Sequence, residues 1–457
     1  MVKNQNAAAS RESAGTAQKT AAVTKNRHRF FGPTGGSGWV SAVLPYNIAL
    51  GPVATLVPLL ILNLNGTVLE VGLALTMFNA VSIPASLFWG RITDRFQKRR
   101  MIIIASFLSA ALILTLFMFV QTSYGVSLLY ALFSFVTTAA TTPLNLLVME
   151  TEKKTKWASA FARFSMFSSV GQTLGLVLGM VGSSFFPLRY LMIPLAVFSL
   201  ISAGMAAYLI REPEVVFERQ AIVMNKQSFF YRLRRSPYLF LKVPSRNDFK
   251  RVFKSLHSEL TRHTPLLYFA IFGFFLSAGI FNTSLIPALD AAGISSLMIF
   301  AVILLGMVVQ IASFRYAGPY IERKSPVKSA IGGLVLRAVS YGVMGVFAYF
   351  LTGLWFLLPV LIFYPLASGI AYSVYYTASN TMVFNTLSPR RNGSALGVYS
   401  ALAGVATMAG SVISGFVSFY GGFYITFLVS AVCLGVSAWL LSFMDNGLVS
   451  TETNIPT

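Results

Sequence analysis

The stretch Gly90-Arg-Ile-Thr-Asp94-Arg95 lies in a short basic segment between two apolar runs and decides the fold. It returns 228 residues later as Gly318-Pro-Tyr-Ile-Glu322-Arg323, with glycine, acid and arginine at the same spacing. Two further segments, at 55–58 and 159–165, return in the same order at 284–287 and 394–400. The three matches predict a duplicated unit of about half the chain length.

The composition is that of a membrane protein. The 457 residues are 55% hydrophobic and 11% charged, whereas about a quarter of residues are charged in soluble domains. Because a crossing takes roughly 20 apolar residues, we place six spans within 39–210 and six within 265–444. The predicted fold class is an all-α membrane protein, with twelve transmembrane helices in two six-helix bundles related by pseudo-two-fold symmetry.

Three further segments flank or join these bundles: a disordered tail at 1–38, a basic linker at 211–264 and a short tail at 445–457. Within the linker, Phe249, Val252 and Phe253 recur at helical spacing with basic residues on the other side, which predicts an amphipathic helix at the membrane surface. That helix either tethers the halves or serves regulation or lipid recognition.

The net charge of +21 is explained by topology. With both termini inside, the cytoplasmic segments hold 32 of the 35 Lys and Arg, which is the positive-inside pattern. We therefore expect a multi-pass protein of the cell membrane, monomeric, with cytoplasmic termini, the lipid bilayer as its surroundings and no nucleic-acid partner. The three remaining cations are Arg163, Arg189 and Arg337.

Residues for enzymatic or metal chemistry are scarce. Cys433 is the only cysteine, and all three histidines fall in polar segments. We therefore predict no catalytic residue, no metal site and no cofactor.

Small residues mark one face in each half. The fifth span has glycine at every fourth position, and the eleventh repeats the pattern at an offset of 235. The six positions are Gly171, Gly175, Gly179, Ala406, Gly410 and Ser414. Such a face allows another helix to approach closely in lipid.

The chain resembles the major facilitator superfamily over about residues 39–444. The resemblance rests on the segment from Gly90 to Arg100, its echo from Gly318 to Lys324, and the segment from Pro389 to Gly397. It implies a secondary active or facilitative transporter of a small molecule, working by alternating access.

The resemblance further implies a cytoplasmic latch. Gly90 would permit close helix approach, Asp94 would bond to the N-terminal end of the eleventh span, and Arg95 would pair with Glu150. The second copy consists of Gly318, Glu322 and Arg323, and it departs from the family pattern at Pro319.

By the family's arrangement, the first, fourth, seventh and tenth spans face a central cavity. The candidate path residues are Asn47, Thr141, Asn145, Arg163, Asn282, Tyr372, Tyr376 and Asn380. The last three lie on one helical face, which either lines the cavity or forms interhelical hydrogen bonds.

Intramembrane charges limit the possible coupling. Arg163 either snorkels to the interface or pairs with Glu150, while Arg337 in the ninth span either pairs across a helix interface or shows that the span is misplaced. No acid lies at mid-depth in the first or fourth span, which disfavours proton antiport. Facilitated diffusion, coupling through carboxylates at the span ends, and an anionic substrate attracted by Arg163 or Arg337 remain open.

Three candidate functions are therefore consistent with the sequence. The first is a transporter of a small molecule, with an organic anion as one candidate substrate. The others are a multidrug-type efflux transporter and a transporter-like sensor or scaffold without flux.

We predict that Asp94→Asn leaves membrane insertion intact but slows turnover, because the neutral amide binds a helix N-terminus more weakly than a carboxylate does. Solute flux in proteoliposomes, normalised to folded protein, measures the effect. Equal flux by mutant and wild type would reject the latch.

Overall fold

The computed structural model describes residues 38–96, 98–151, 157–210, 264–351, 353–385 and 392–452. The described part contains twelve helices that are long and apolar enough to cross a membrane, and it contains no strand. The spans begin and end close to the positions expected from the sequence, and they fall in two sets of six. The predicted amphipathic linker helix and the tail at 1–37 lie outside the described residues.

Two of the spans contain more than one α-helix. The first span, Gly38–Asn63, joins a 3-10 turn to the helices Leu44–Leu50 and Val53–Asn63. The tenth, Gly353–Val383, begins with a 3-10 turn and has a π-helical segment at Leu366–Ala371 between the helices Leu357–Pro365 and Tyr372–Asn385.

The other spans are single helices. In the first half they are Val68–Phe96, Arg99–Leu116, Ser123–Thr151, Trp157–Phe185 and Met192–Leu209. In the second half they are Thr264–Ala291, Ser296–Arg323, Pro326–Phe350, Asn392–Gly421 and Phe423–Glu452. The last helix continues eight residues beyond Met444, into the segment that was expected to be a tail.

The two halves are packed alike. The first span packs against the fifth and sixth, and the seventh packs against the eleventh and twelfth. The fourth span packs against the second and third, and the tenth against the eighth and ninth. The duplication read from the sequence is therefore a duplication of helix contacts.

The repeat extends to individual glycines in the first and seventh spans. A Cβ on Gly51 would overlap the backbone carbonyl oxygen of Gln172, and a Cβ on Gly279 would lie 2.5 Å from the carbonyl oxygen of Thr407. Gly279 is offset from Gly51 by 228, and Thr407 from Gln172 by 235. No side chain fits at either glycine unless the backbone moves.

The small faces of the fifth and eleventh spans form the other side of these contacts. A Cβ on Gly175 would overlap the carbonyl oxygen of Ile48, and one on Gly410 would overlap that of Leu276. Ser414, in the eleventh span, donates a hydrogen bond to the carbonyl oxygen of Ile280, O···O 2.7 Å. The predicted small faces are thus the surfaces on which the first and seventh spans pack.

The halves meet along two seams. The second span contacts the eleventh, where a Cβ on Gly72 would lie 2.8 Å from the Gly415 Cα. The fifth contacts the eighth, where a Cβ on Gly179 would lie 2.8 Å from Cε1 of the buried Phe300. Gly72 and Phe300 are again 228 apart. Both contacts lie near the ends of their spans away from the Asp94 and Glu322 loops, and we call that side the opposite side.

We predict that Gly410→Val destabilises the protein, because its side chain would meet the seventh-span backbone rather than a movable side chain. Overpacking costs about 1–3 kcal/mol, so the midpoint of thermal unfolding in detergent should fall. Gly435→Val is the matched control, since a Cβ there meets nothing within 4 Å. Equal midpoints for the two variants would contradict this account of the packing.

Candidate solute path

Arg337 lies in the middle of the ninth span and is 2% exposed. Its Nε donates a hydrogen bond to the hydroxyl oxygen of Tyr341 one turn later, N···O 2.8 Å. Its Nη1 is buried and has no hydrogen-bond partner among the described atoms. The span is therefore placed correctly, and within the described residues the guanidinium makes no ion pair.

Aromatic rings take the place of a counter-ion. The guanidinium carbon lies 4.6 Å from the ring centroid of Phe274, 5.2 Å from that of Tyr341 and 5.6 Å from that of Tyr372. These rings come from the seventh, ninth and tenth spans. The pairing across helix interfaces that the sequence left open is thus made by π faces.

The free energies of these contacts can be compared with the cost of placing an arginine in the membrane. Inserting an arginine at mid-bilayer costs on the order of 3 kcal/mol. Each cation–π contact returns about 0.5–2 kcal/mol, and a hydrogen bond to a charged group about 1.5–3 kcal/mol. The surroundings can therefore hold the charge, but they leave the Nη1 donors unsatisfied.

The rings belong to a longer aromatic column in the second half. Phe281 stacks on Tyr341 with centroids 3.7 Å apart, and Phe274 stacks on Tyr375 at 4.1 Å. Phe281 also contacts Phe427 of the twelfth span at 4.9 Å. The column fixes the ninth span against the seventh and tenth spans, and with it the position of Arg337.

The first half has no matching cation. Tyr46, which is 228 residues before Phe274, contacts Phe107 of the third span with tilted rings and centroids 4.1 Å apart. The buried positions of the third and ninth spans match at an offset of 227, so the position equivalent to Arg337 is the buried Ala110. The first and third spans thus pack together without a charge at this position.

The tenth span positions the predicted tyrosine face. Its π-helical segment packs against the eighth and ninth spans and ends directly before Tyr372. Tyr372 is half-buried and stacks on Tyr376 at 5.6 Å, and Tyr376 is 37% exposed. Asn380 Nδ2 donates to the carbonyl oxygen of Tyr376, 2.8 Å within the same helix. The face therefore joins the buried cation to an exposed ring.

The other polar candidates for the path differ in their exposure. Asn47 is buried, and its Nδ2 donates to the carbonyl oxygen of Val43, 3.0 Å, and to Ser168 Oγ, 3.4 Å. Asn145 is half-buried, and Thr141 and Asn282 are exposed. Asn47 is thus a packing residue as well as a path candidate.

The latch falls largely outside the described side chains. This applies to Asp94, Arg95, Glu150 and Glu322, and to the path candidate Arg163.

The remaining latch residues belong to the described part. Arg323 is exposed. A Cβ on Gly90 or on Gly318 would meet no described atom within 4 Å. The close approach expected at Gly90 stays a prediction, because its expected partners lie outside the described side chains.

Two further properties of the described part concern metal binding and cavities. No group of three or more His, Cys, Asp or Glu within it could hold a metal ion. A cavity of about 180 Å³ opens on the opposite side of the first half, between residues that include Asn63, Phe117 and Arg189.

Sequence reasoning identified Arg337 and Tyr372 but missed their partners. Tyr341 could have been found, because a hydroxyl four residues after an intramembrane arginine lies on the same helical face. Phe274 could not, because a phenylalanine in an apolar run carries no sign of its neighbour.

Comparison with known proteins places the fold. The sequence matches the Major Facilitator Superfamily over residues 40–366 and over 267–453. No curated protein sequence matches it. The nucleoside transporter NupG is similar in structure, with a TM-score of 0.65 and 12% identity over 90% of this chain and 98% of that one. Tetrameric PepTSo2 gives 0.65 and 16% over 93% and 100%. The chain belongs to the Major Facilitator Superfamily.

Proposed function

We propose that this protein is a transporter that moves a small organic solute across the cell membrane by alternating access. The observation that carries the proposal is the pair of seams between the halves. Both seams are closed on the opposite side, at Gly72 with Gly415 and at Gly179 with Phe300. On the basic side, a Cβ on Gly90 or on Gly318 would meet no described atom within 4 Å.

This asymmetry is what one state of a two-state transporter requires. Two bodies that repeat one another can rock about a site between them, closing one side as the other opens. The seams are suited to rocking because the contacts at Gly72 and Gly179 bring one backbone against another or against one flat ring.

The space between the bodies is suited to a polar solute. Amide and hydroxyl side chains are costly against lipid, yet Asn282 and Thr141 are exposed within spans. The seventh span contacts the first and second spans of the other half, and we place its exposed Asn282 at the gap between the halves. A solute bound there would contact both bodies.

We further propose that the basic side is cytoplasmic. Lys98, Arg315, Arg323, Lys324 and Lys328 lie at or near span ends on this side. Arg189 is on the opposite side. The positive-inside rule then sets the orientation.

A cross-link between the halves tests the rocking motion. Ile83 Cγ1 would lie 3.2 Å from a Cβ on Gly404, so cysteines at both positions, in a Cys433→Ser background, are close enough for a disulfide. Oxidation should abolish proteoliposome uptake from a panel of nucleosides, amino acids and organic acids, and reduction should restore it.

A cross-link within one half is the matched control. Ser277 Oγ and Ser430 Oγ lie 2.7 Å apart in the seventh and twelfth spans, and the corresponding cysteine pair joins helices that move together. Its oxidation should leave uptake unchanged. Undiminished uptake by the oxidised Ile83/Gly404 pair would reject alternating access, and absence of uptake across the panel by folded wild type would count against transport.

Orientation has its own test. A Ser13→Cys variant in the same background should react with a membrane-impermeant maleimide only after cells are permeabilised. A Thr122→Cys variant, in an exposed loop of the opposite side, should react in intact cells. The reverse pattern would contradict the assignment.

A further inference from the structure

We infer that Arg337 is the binding residue for a single carboxylate group of the transported solute, and that the Tyr372 ring covers it between binding events. The inference rests on the proposed transport function and names its substrate class, a small organic monoanion. Its basis is a guanidinium that is 2% exposed and has a buried Nη1 without a hydrogen-bond partner in the described part.

The chemistry of the vacant donor selects an oxyanion. Nη1 offers N–H groups in a rigid planar fork, and that geometry fits the oxygens of a carboxylate or a phosphate. The site supplies one positive charge, and no acid among the described residues neutralises it. A monoanionic carboxylate leaves the buried site neutral, whereas a dianionic phosphate leaves it negative and costly to desolvate. Charge balance therefore favours the carboxylate.

The rings around Arg337 are suited to a charge that is available to a ligand only part of the time. The equivalent place in the first half has the buried Ala110, and the first span there packs against the third without a cation. A purely structural core would have no need of Arg337. The cation–π contacts supply temporary compensation, which a ring can give up when an anion arrives.

The cover over the guanidinium can move. Of the three rings that contact it, Phe274 and Tyr341 are buried, whereas Tyr372 is half-buried and stacks on the exposed Tyr376. Tyr372 directly follows the π-helical segment Leu366–Ala371. A π segment holds one extra residue, so its return to α geometry turns the following residues by about 100° around the helix axis. That rotation would carry the Tyr372 ring off Arg337.

Thermal unfolding of the purified full chain with benzoate, and with benzamide as its neutral counterpart, tests the recognition. Benzoate should raise the unfolding midpoint of wild type, and benzamide should not. Arg337→Met should lose the benzoate shift. Arg189→Met, which removes an exposed arginine on the opposite side, should keep it. Equal shifts with the two ligands, no shift for wild type, or a full shift in Arg337→Met would overturn the inference.

The unliganded midpoints separate binding from a structural role. Replacing an uncompensated buried charge by an apolar side chain of similar length is often neutral or stabilising. Arg337→Met should therefore unfold at or above the wild-type temperature. A marked fall in Arg337→Met, together with a full benzoate shift in Arg337→Lys, would instead show a cation needed for packing and would overturn the inference.

Chemical modification supplies a test that does not depend on replacing Arg337. Phenylglyoxal should modify Arg337 slowly in wild type, and Tyr372→Ala should accelerate the reaction at least tenfold, as read by mass spectrometry of the Arg337 peptide. Benzoate should slow it in both proteins. Equal reaction rates in wild type and Tyr372→Ala would show that the Tyr372 ring does not cover Arg337. Absence of protection by benzoate would show that Arg337 does not bind the carboxylate.

The two proposals can fail separately. Uptake of neutral solutes, with no carboxylate binding, would leave alternating access standing and reject the role of Arg337. Benzoate binding at Arg337 without uptake of any organic acid would support the site and reject transport.

Discussion

Close backbone contact between helices is the constraint on which this structure depends. Apolar side chains gain no hydrophobic free energy when they move from lipid into a helix interface, so helices associate there through van der Waals contact and hydrogen bonds. Gly51 and Gly175 bring the first and fifth spans together, and Gly279 and Gly410 do the same for the seventh and eleventh. Each half is thus held by a pair of contacts in which a side chain would strike a carbonyl group. The innermost span of each half is thereby fixed to its own bundle, while the halves meet where the second span contacts the eleventh and the fifth contacts the eighth.

Much of this could be predicted from the sequence, because the bilayer imposes simple rules. Apolar length sets the spans, and the Gly90 and Gly318 segments, with the small residues of the fifth and eleventh spans, indicated the repeat before any contact was known. What the small faces pack against was not predictable, because the partners at Gln172 and Ile48 contribute only backbone atoms. The side-chain contacts proposed for the latch at Asp94 and Glu150 stay predictions.

The candidate site was less predictable for a different reason. An arginine in an apolar span is conspicuous, so Arg337 was identified at once, but its compensation by rings was hidden among 39 phenylalanines and 19 tyrosines. The π-helical segment before Tyr372 leaves no mark either, since Leu366–Ala371 has an ordinary membrane composition. Sequence patterns report average environments, whereas this site depends on which ring meets which cation.

Positions at which the two repeated halves differ are the best candidates for functional residues. The duplication gives the halves the same helix contacts, so a difference between equivalent positions is not dictated by the fold. Phe300 fills one seam at the position where Gly72 makes backbone contact at the other, and Arg337 takes the position that Ala110 has in the first half. Arg337 belongs to the second half, so an anion bound to it would be held by one body. Opening either side would then leave the anion attached to the second half while the first moves away, and its release would depend on Tyr372 returning to its place on the guanidinium.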